Sequence, residues 1–506
     1  MRLSILLTSL LFAPAILATE LTALVYHDIV PDPVTDDYAV SVTAFHKQLD
    51  TLHRLGYQPI SLKTLDDVVR GRASLPKKPV LITFDDGLAS FKRYALPELE
   101  KRQYPAVLSI ESGWLDGLNV PESYRGRLLT WQDVRQVLQS HLVEIASHTH
   151  NLHHGIQSNS QVNLAPASIT RRYDPKTKTY EGETAFRIRI RQDIKQFTQR
   201  LKVETHTKAN AMTWPYGHYD SVLVEEAQAQ GLYWQLTLGL LPARTEEFPV
   251  VSRLLVYRAR NLADFERLLL QPPGVSAHRI LEVQLDAWNE LTDVEREEQL
   301  SILLNRLEQL RINTVMISPF TREGRFAFFS NPGVPSKGDF LNRVLHQMRT
   351  RSGIQTIILR FPEKFFNASV YTELARRHPY DAILINSAMD PEGAAVIQKQ
   401  FTYYRPNLSC GSEGRVSRPS CQDFIMEFVT PGQQAQNRDD LKSNIPVYAL
   451  LQNDPTLSGT QLITSVRALD QNGVRHYGLR FSAALDDIAT LTGVAVELAN
   501  LTNRGH

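Results

Sequence analysis

Cysteine is nearly absent: Cys410 and Cys421 are the only two in 506 residues. So low a count excludes a disulfide-stapled scaffold and any metal centre built on four thiolates. The pair sits in NLSCGSEGRVSRPSC, a Gly/Ser/Pro-rich stretch, and in an oxidising compartment it would bridge a surface loop. A surplus of one charge is missing too. Lys+Arg is 55 against 54 for Asp+Glu, a formal net charge of +1, so nothing marks a nucleic-acid binder, which carries a basic excess. Beyond the N-terminus no apolar run is long enough to span a bilayer. Disorder is excluded as well, since 42% of residues are hydrophobic and 22% charged.

What is present suggests two or three domains, because 506 residues exceed one ordinary core. The chain begins MRLSILLTSLLFAPAILATE, with one Arg, an apolar run from Leu3 to Leu17 and small residues after it. Residues 1–18 therefore read as a secretory signal peptide without a cysteine for lipid attachment, which predicts a periplasmic or secreted protein. Apolar runs then alternate with helical patterns, the mark of an α/β fold. LTALVYHDI, PVLITFDDG, AVLSIES and LVEIASHTH read as strands. In SVTAFHKQLDTLHRLGY, Phe45, Leu49, Leu52 and Leu55 form one helical stripe. Thr130 and Asp220 read as helix caps. Residues 155–185 are polar and aperiodic and read as a long loop. QPPGVSAH, residues 271–278, reads as a linker, which divides the chain into domains at 19–270 and 279–506. After it the alternation restarts with ILEVQLDAW, NTVMISPF, QTIILRFP, DAILINSA, NIPVYALLQ and HYGLRFS, which fits a TIM-like (β/α) barrel.

Three strand ends carry chemistry. LITFDDG delivers Asp85 and Asp86 to the C-terminal edge of a strand, where α/β sheets and barrels place their sites. Two adjacent carboxylates call for a cation or a proton. SHTHNLHHG places His148, His150, His153 and His154 after another apolar run, and imidazoles with one carboxylate make an open three-ligand metal site. TWPYG ends a third run, where Trp214 and Tyr216 could face a sugar ring or fill the core. The same two readings stand for Trp131 and Trp234. His27, in YHDI, follows the first strand; alone, such a histidine is more often structural.

TFDDG, SHTHNLHH and WPYG resemble the motifs of the polysaccharide deacetylases, carbohydrate esterase family 4. With YHDI ahead of TFDDG, the order resembles the circularly permuted, PgaB-type poly-β-1,6-N-acetyl-D-glucosamine N-deacetylases, in which a glycoside-hydrolase-like barrel follows. The resemblance implies Asp86, His148 and His153 as ligands of a divalent metal (Zn²⁺, Ni²⁺ or Co²⁺), with His150 and His154 as competing candidates. It implies Asp85 as general base, His27 as general acid, and a backbone N–H near Tyr216 for the oxyanion. Thr213 or Trp214 stands where the wider family carries an arginine, so no Arg partner for the base is evident. It also implies N-deacetylation of exported poly-N-acetylglucosamine in biofilm matrix production, with an outer-membrane export porin as a partner. Chitin oligosaccharide or peptidoglycan are alternative substrates, and sugar binding without hydrolysis is an alternative activity. In the second barrel one strand end reads Asn386-Ser387-Ala388, with no acid before Asp390; Glu282, Asp286 and Glu290 lie near the first strand. Glycosidic cleavage needs paired carboxylates, so this barrel is expected to bind polymer without cutting it.

Overall fold

A computed structural model describes residues 20–32, 36–256, 261–272, 277–406, 408–413, 421, 423–429, 446–452, 464–465, 467–468 and 476–480. The leader-like segment 1–18 and residues 273–276 of the expected linker lie outside them. By contacts the chain falls into two compact units. The first draws on Met1–Asn151, Ile194–Gly217 and Ala227–Gly274; the second draws on Leu152–Asp193, His218–Glu226 and Val275–His506.

In the first unit seven parallel strands close a barrel: β1 (Glu20–Tyr26), β2 (Pro79–Phe84), β3 (Ala106–Ile110), β4 (Val143–Ser147), β5 (Ala211–Thr213), β6 (Trp234–Leu238) and β7 (Val250–Leu255). Their order around the ring is β1-β7-β6-β5-β4-β3-β2, and β1 closes it by pairing Thr22 with Val80 through Tyr26 with Phe84. Side chains alternate across each strand. Val80, Ile82 and Phe84 therefore share one cluster with Phe45, Leu49 and Leu52 of the helix Val42–Arg54, the stripe its periodicity predicts. The opposite set, Leu81, Val107, Ala146, Ala211, Leu236 and Val251, supplies one residue from each of six strands to a second cluster, the barrel interior. Above it the same inward positions turn polar, with Ser109 and Thr213 joined at 2.8 Å. Ser41 caps the helix Val42–Arg54, and Thr130 caps Trp131–Val137 with a full capping box.

In the second unit eight parallel strands close a ring: β8 (Arg279–Val283), β9 (Thr314–Ile317), β10 (Thr356–Arg360), β11 (Ala382–Ile385), β12 (Ser409–Glu413), β13 (Phe424–Val429), β14 (Val447–Gln452) and β15 (His476–Arg480). Ile280, Met316, Ile358, Leu384, Met426 and Leu450 fill it. Cys410 and Cys421 are disulfide-bonded and both buried, rather than on the surface as their polar neighbourhood suggests. The segment expected as a loop over 155–185 carries two hairpins, Gly155–Gln157 with Leu164–Pro166 and Tyr173–Asp174 with Thr179–Tyr180, before the helix Glu183–Thr205 begins. It belongs with this unit. Arg377 stacks 3.9 Å over the Tyr180 ring, and Arg171 pairs with Glu373 at 2.8 Å.

Candidate active site

Inward alternation along β2 carries Leu81, Thr83 and then Asp85 toward the C-terminal mouth of the first barrel, and the chain turns sharply there. Asp86 adopts φ 72° and Gly87 φ 67°, a left-handed turn that is strained for the non-glycine residue. Asp85 and Asp86 are both buried, at 4% and 2% exposure. The partner of Asp85 is Arg253 of β7, itself fully buried, whose Nη1 and Nη2 donate to its two oxygens at 2.7 and 2.9 Å. The guanidinium is aimed by further bonds from Nε to the Thr237 carbonyl at 3.1 Å and from Nη1 to Thr83 at 2.9 Å. Burial opposes charge on Asp85, but Arg253, then His148 and His27, outweigh it and hold the carboxyl below its ordinary value. A backbone bond from Asp85 to the Tyr26 carbonyl, 3.0 Å, fixes the end of β2 beside the end of β1, where His27 follows. The His27 ring stands edge-on to Tyr38 at 5.5 Å, and its Nδ1 has no hydrogen-bond partner among the described residues.

His148 follows β4 in the same inward register and is buried. Its Nδ1–H donates to the Thr213 carbonyl at 2.8 Å, which leaves Nε2 as the lone-pair nitrogen, 3.4 Å from Asp86 Oδ1. Burial disfavours its charge, yet Asp86 and Asp85 together raise its pKa above the ordinary histidine value. Carboxylates that draw a proton onto a buried imidazole would equally draw a metal cation. Asp86, His148 and His153 each offer one ligand atom, and the three atoms lie within 4.8 Å of one another. Two imidazoles and a carboxylate, one imidazole already fixed in the metal-binding tautomer, fit a divalent cation.

The metal-ligand cluster does not include the other two histidines of the motif. His150 is buried with Nδ1 2.8 Å from Ser112 Oγ, and burial pushes its pKa down. Burial, with Arg172 and Arg189, does the same to His154. Gly113 permits the close approach at this turn: its N–H donates to the His150 carbonyl at 2.8 Å, and a Cβ there would lie 2.1 Å from that oxygen.

Of the two aromatics in TWPYG, only Tyr216 faces outward, 47% exposed on a turn with φ 58°. Partial burial and the charges of Glu111 and Asp86 push its phenol up. Trp214 corrects the expectation that it contacts sugar. Its ring is fully buried, and Nε1 donates to Gln235 at 2.9 Å, so it packs and orients the turn. Trp131 and Trp234 are core residues as well.

Two further residues escape a reading of motifs. Arg253 is the arginine partner of Asp85 that the third motif does not supply; its signal is a lone charge inside the apolar run VVSRLLVY. Tyr124 ends the single 3-10 turn Glu122–Tyr124, too short to show periodicity, and its hydroxyl donates to Asp86 Oδ2 at 2.7 Å. Burial and the Asp86 charge push its phenol well up, so it remains a donor.

The second barrel has a cavity of about 720 Å³ at its C-terminal strand ends, with Glu282, Asp286, Glu323, Arg360, Glu363 and Asn386 in its lining. Buried Glu282 is 3.4 Å from Arg360, which also pairs with Glu413. Asp286 accepts the Arg322 N–H at 2.8 Å, and Glu290 is exposed and paired with Lys337. Asp390 is a helix cap, its Oδ1 accepting the Gly393 N–H at 2.8 Å.

Residues 72–234 match the family model for polysaccharide deacetylases. The chain is 32% identical over 348 residues to the poly-β-1,6-N-acetyl-D-glucosamine N-deacetylase of Escherichia coli (strain K12), an overlap of 66% of this chain and 51% of that protein. It thus spans about half the length of the curated relatives it matches. Similar solved structures include a de-N-acetylase from Aggregatibacter actinomycetemcomitans, at 29% identity, 49% of this chain, 99% of that chain and TM-score 0.44. The deacetylase domain of BpsB from Bordetella bronchiseptica is 31% identical over 46% of this chain and 95% of that chain, with TM-score 0.42. In sequence the chain resembles the poly-β-1,6-N-acetyl-D-glucosamine N-deacetylases, with a polysaccharide deacetylase match centred on the segment that carries Asp85, Asp86 and the histidine motif.

Proposed function

We propose that the first barrel is a metal-dependent N-deacetylase acting on poly-β-1,6-N-acetyl-D-glucosamine. The observation that carries this reading is the meeting of Asp86, His148 and His153 with an Arg-clamped Asp85 at one barrel mouth. The similarity to relatives named for that substrate supports the choice of polymer. Bound by Asp86, His148 and His153, a divalent cation supplies Lewis acidity toward a water and an acyl oxygen. Asp85, kept ionised by Arg253, accepts the proton of the attacking water. His27, at the neighbouring strand end, delivers a proton to the departing amine, which leaves poorly as an anion. A backbone N–H at the Tyr216 turn is a candidate donor to the oxyanion. Zn²⁺, Ni²⁺ and Co²⁺ all suit this donor set.

The proposal places the protein in the periplasm or outside the cell, in production of a biofilm matrix. The Cys410–Cys421 disulfide supports an oxidising compartment. The resemblance adds an export porin as the route by which product leaves. For the second barrel we propose polymer binding without cleavage, because Arg360 holds the buried carboxylates Glu282 and Glu413 as an ion triad. Acetate release from defined β-1,6 and β-1,4 N-acetylglucosamine oligomers, with and without chelator, tests the main reading. Chelator-sensitive release from the β-1,6 series is expected. Release only from the β-1,4 series would move the substrate to chitin-like oligosaccharides or peptidoglycan, and no release from either would leave sugar binding alone.

A further inference from the structure

Asp86 poses a problem that the ligand set does not solve. A carboxylate can bind a cation through one oxygen or both, and Asp86 sits on a turn whose φ of 72° is strained. Something must fix both the turn and the carboxylate. The segment after the short helix Ser112–Leu115 does both. Ala89 N–H donates to the Arg127 carbonyl at 2.7 Å, and Leu129 N–H donates to the Gly87 carbonyl at 2.9 Å. Leu88 and Leu128 form an antiparallel bridge, and Arg127 pairs with buried Asp28 beside His27. This strap is therefore stitched to the turn that carries Asp85 and Asp86. At its centre Tyr124 stands edge-on to Trp114 at 5.5 Å and donates to Asp86 Oδ2 at 2.7 Å. The other oxygen, Oδ1, is the one 3.4 Å from His148 Nε2.

We propose that Tyr124 is a positioning residue of the metal site, whose hydroxyl occupies Asp86 Oδ2 and so reserves Oδ1 for one-oxygen coordination of a divalent cation. This rests on the metal-dependent reading above. The physical reason is the division of labour on the carboxylate. An O–H···O⁻ bond at 2.7 Å is charge-assisted and directional, and it holds the carboxylate plane. A cation that binds at Oδ1 then meets a preset ligand and does not have to select one rotamer from several. Outer partners of metal ligands typically contribute 10–100-fold in affinity.

The test is Tyr124→Phe in the full chain. It removes one oxygen and keeps the ring against Trp114. Zn²⁺ affinity is measured by competition with a chromophoric chelator, the Co²⁺-substituted protein by its visible spectrum, and the metal-free protein by thermal unfolding. The expected result is Zn²⁺ binding weakened about 10–100-fold. A Co²⁺ spectrum altered in intensity as Asp86 becomes free to bind through both oxygens is expected with it, and a metal-free melting midpoint equal to wild type. Equal Zn²⁺ affinity in variant and wild type overturns the proposal and leaves the metal-dependent reading intact. A loss of affinity matched by a loss of metal-free stability overturns it in favour of a purely structural hydroxyl. A wild-type chain that takes up neither metal overturns the metal-dependent reading, and this proposal with it.

Discussion

Arg253 is a fully buried cation whose only described carboxylate partner is Asp85, at 2.7 and 2.9 Å through two separate nitrogens. A buried charge of this kind is tolerated because it is paired and also donates to the Thr237 carbonyl and the Thr83 hydroxyl. The fork geometry matters as much as the charge, since a lysine can offer only a point cation. Arg253→Lys should therefore keep the metal and lose turnover by about 10²-fold, the scale of a misaimed catalytic group. It should also lower stability by about 1–3 kcal/mol, through carboxylate and carbonyl oxygens left short of donors. Metal content, steady-state acetate release and chemical denaturation check this together. Wild-type turnover in a folded Lys variant would show that the fork does not aim Asp85. Residue identities near the site were legible wherever a strand ended in chemistry, as in TFDDG and SHTHNLHH. Trp214 was not, because a tryptophan beside a turn reads the same whether it faces sugar or packs inward; only its bond to Gln235 decides.

At the scale of elements, period-two alternation explains why Asp85 and His148 share a mouth. Each continues the inward register of a strand whose earlier inward residues, Leu81 and Ala146, fill the barrel core. That much can be read from apolar runs. The segment 152–193 could not be read the same way. Its strands are only two or three residues long, and its anchoring runs through Arg171 and Arg377 to residues far along the chain. Local propensity carries no record of such pairings. Closeness between elements is equally invisible in sequence until a glycine marks it, and Gly113 marks the approach of the helix Ser112–Leu115 to the histidine turn. Gly113→Ala would place a Cβ 2.1 Å from the His150 carbonyl, so the turn must move. Overpacking of this kind costs about 1–3 kcal/mol. A lowered melting midpoint with weakened Zn²⁺ binding is expected, whereas an unchanged midpoint would mean that the turn yields freely.

At the scale of the whole molecule, stability depends on pH through a buried histidine of the second unit. His378, at the end of the helix Ala368–Arg377, donates Nδ1–H to the Leu374 carbonyl at 3.1 Å and is 2% exposed. Burial and the adjacent Arg377 push its pKa from 6.5 down to about 3. Between those values the unfolded chain binds a proton that the folded chain refuses. Its contribution is therefore complete above about pH 6.5 and is lost as pH falls toward 3. His378→Asn keeps a donor for Leu374 and removes the titration. Denaturant unfolding between pH 6.5 and 4 should show a shallower loss of stability in the variant, by at most about 1.4 kcal/mol per pH unit. Equal slopes would mean that the ring titrates normally. The second barrel brings a last expectation about the full chain. Its strand-end cavity is not short of acids, but buried Glu282 is held by Arg360, which also binds buried Glu413, and the exposed Asp390 is spent as a helix cap. A carboxylate committed to a guanidinium is poorly placed to hand a proton to a glycosidic oxygen, as cleavage requires. Asp286, bound to the Arg322 N–H, could stabilise positive charge. Partly deacetylated polymer incubated with the full chain should therefore keep its length while its acetyl content falls, as sizing and acetate assay would show. Chains that shorten, and stop shortening in Glu282→Gln or Asp286→Asn, would mean that an acid pair operates despite the arginine.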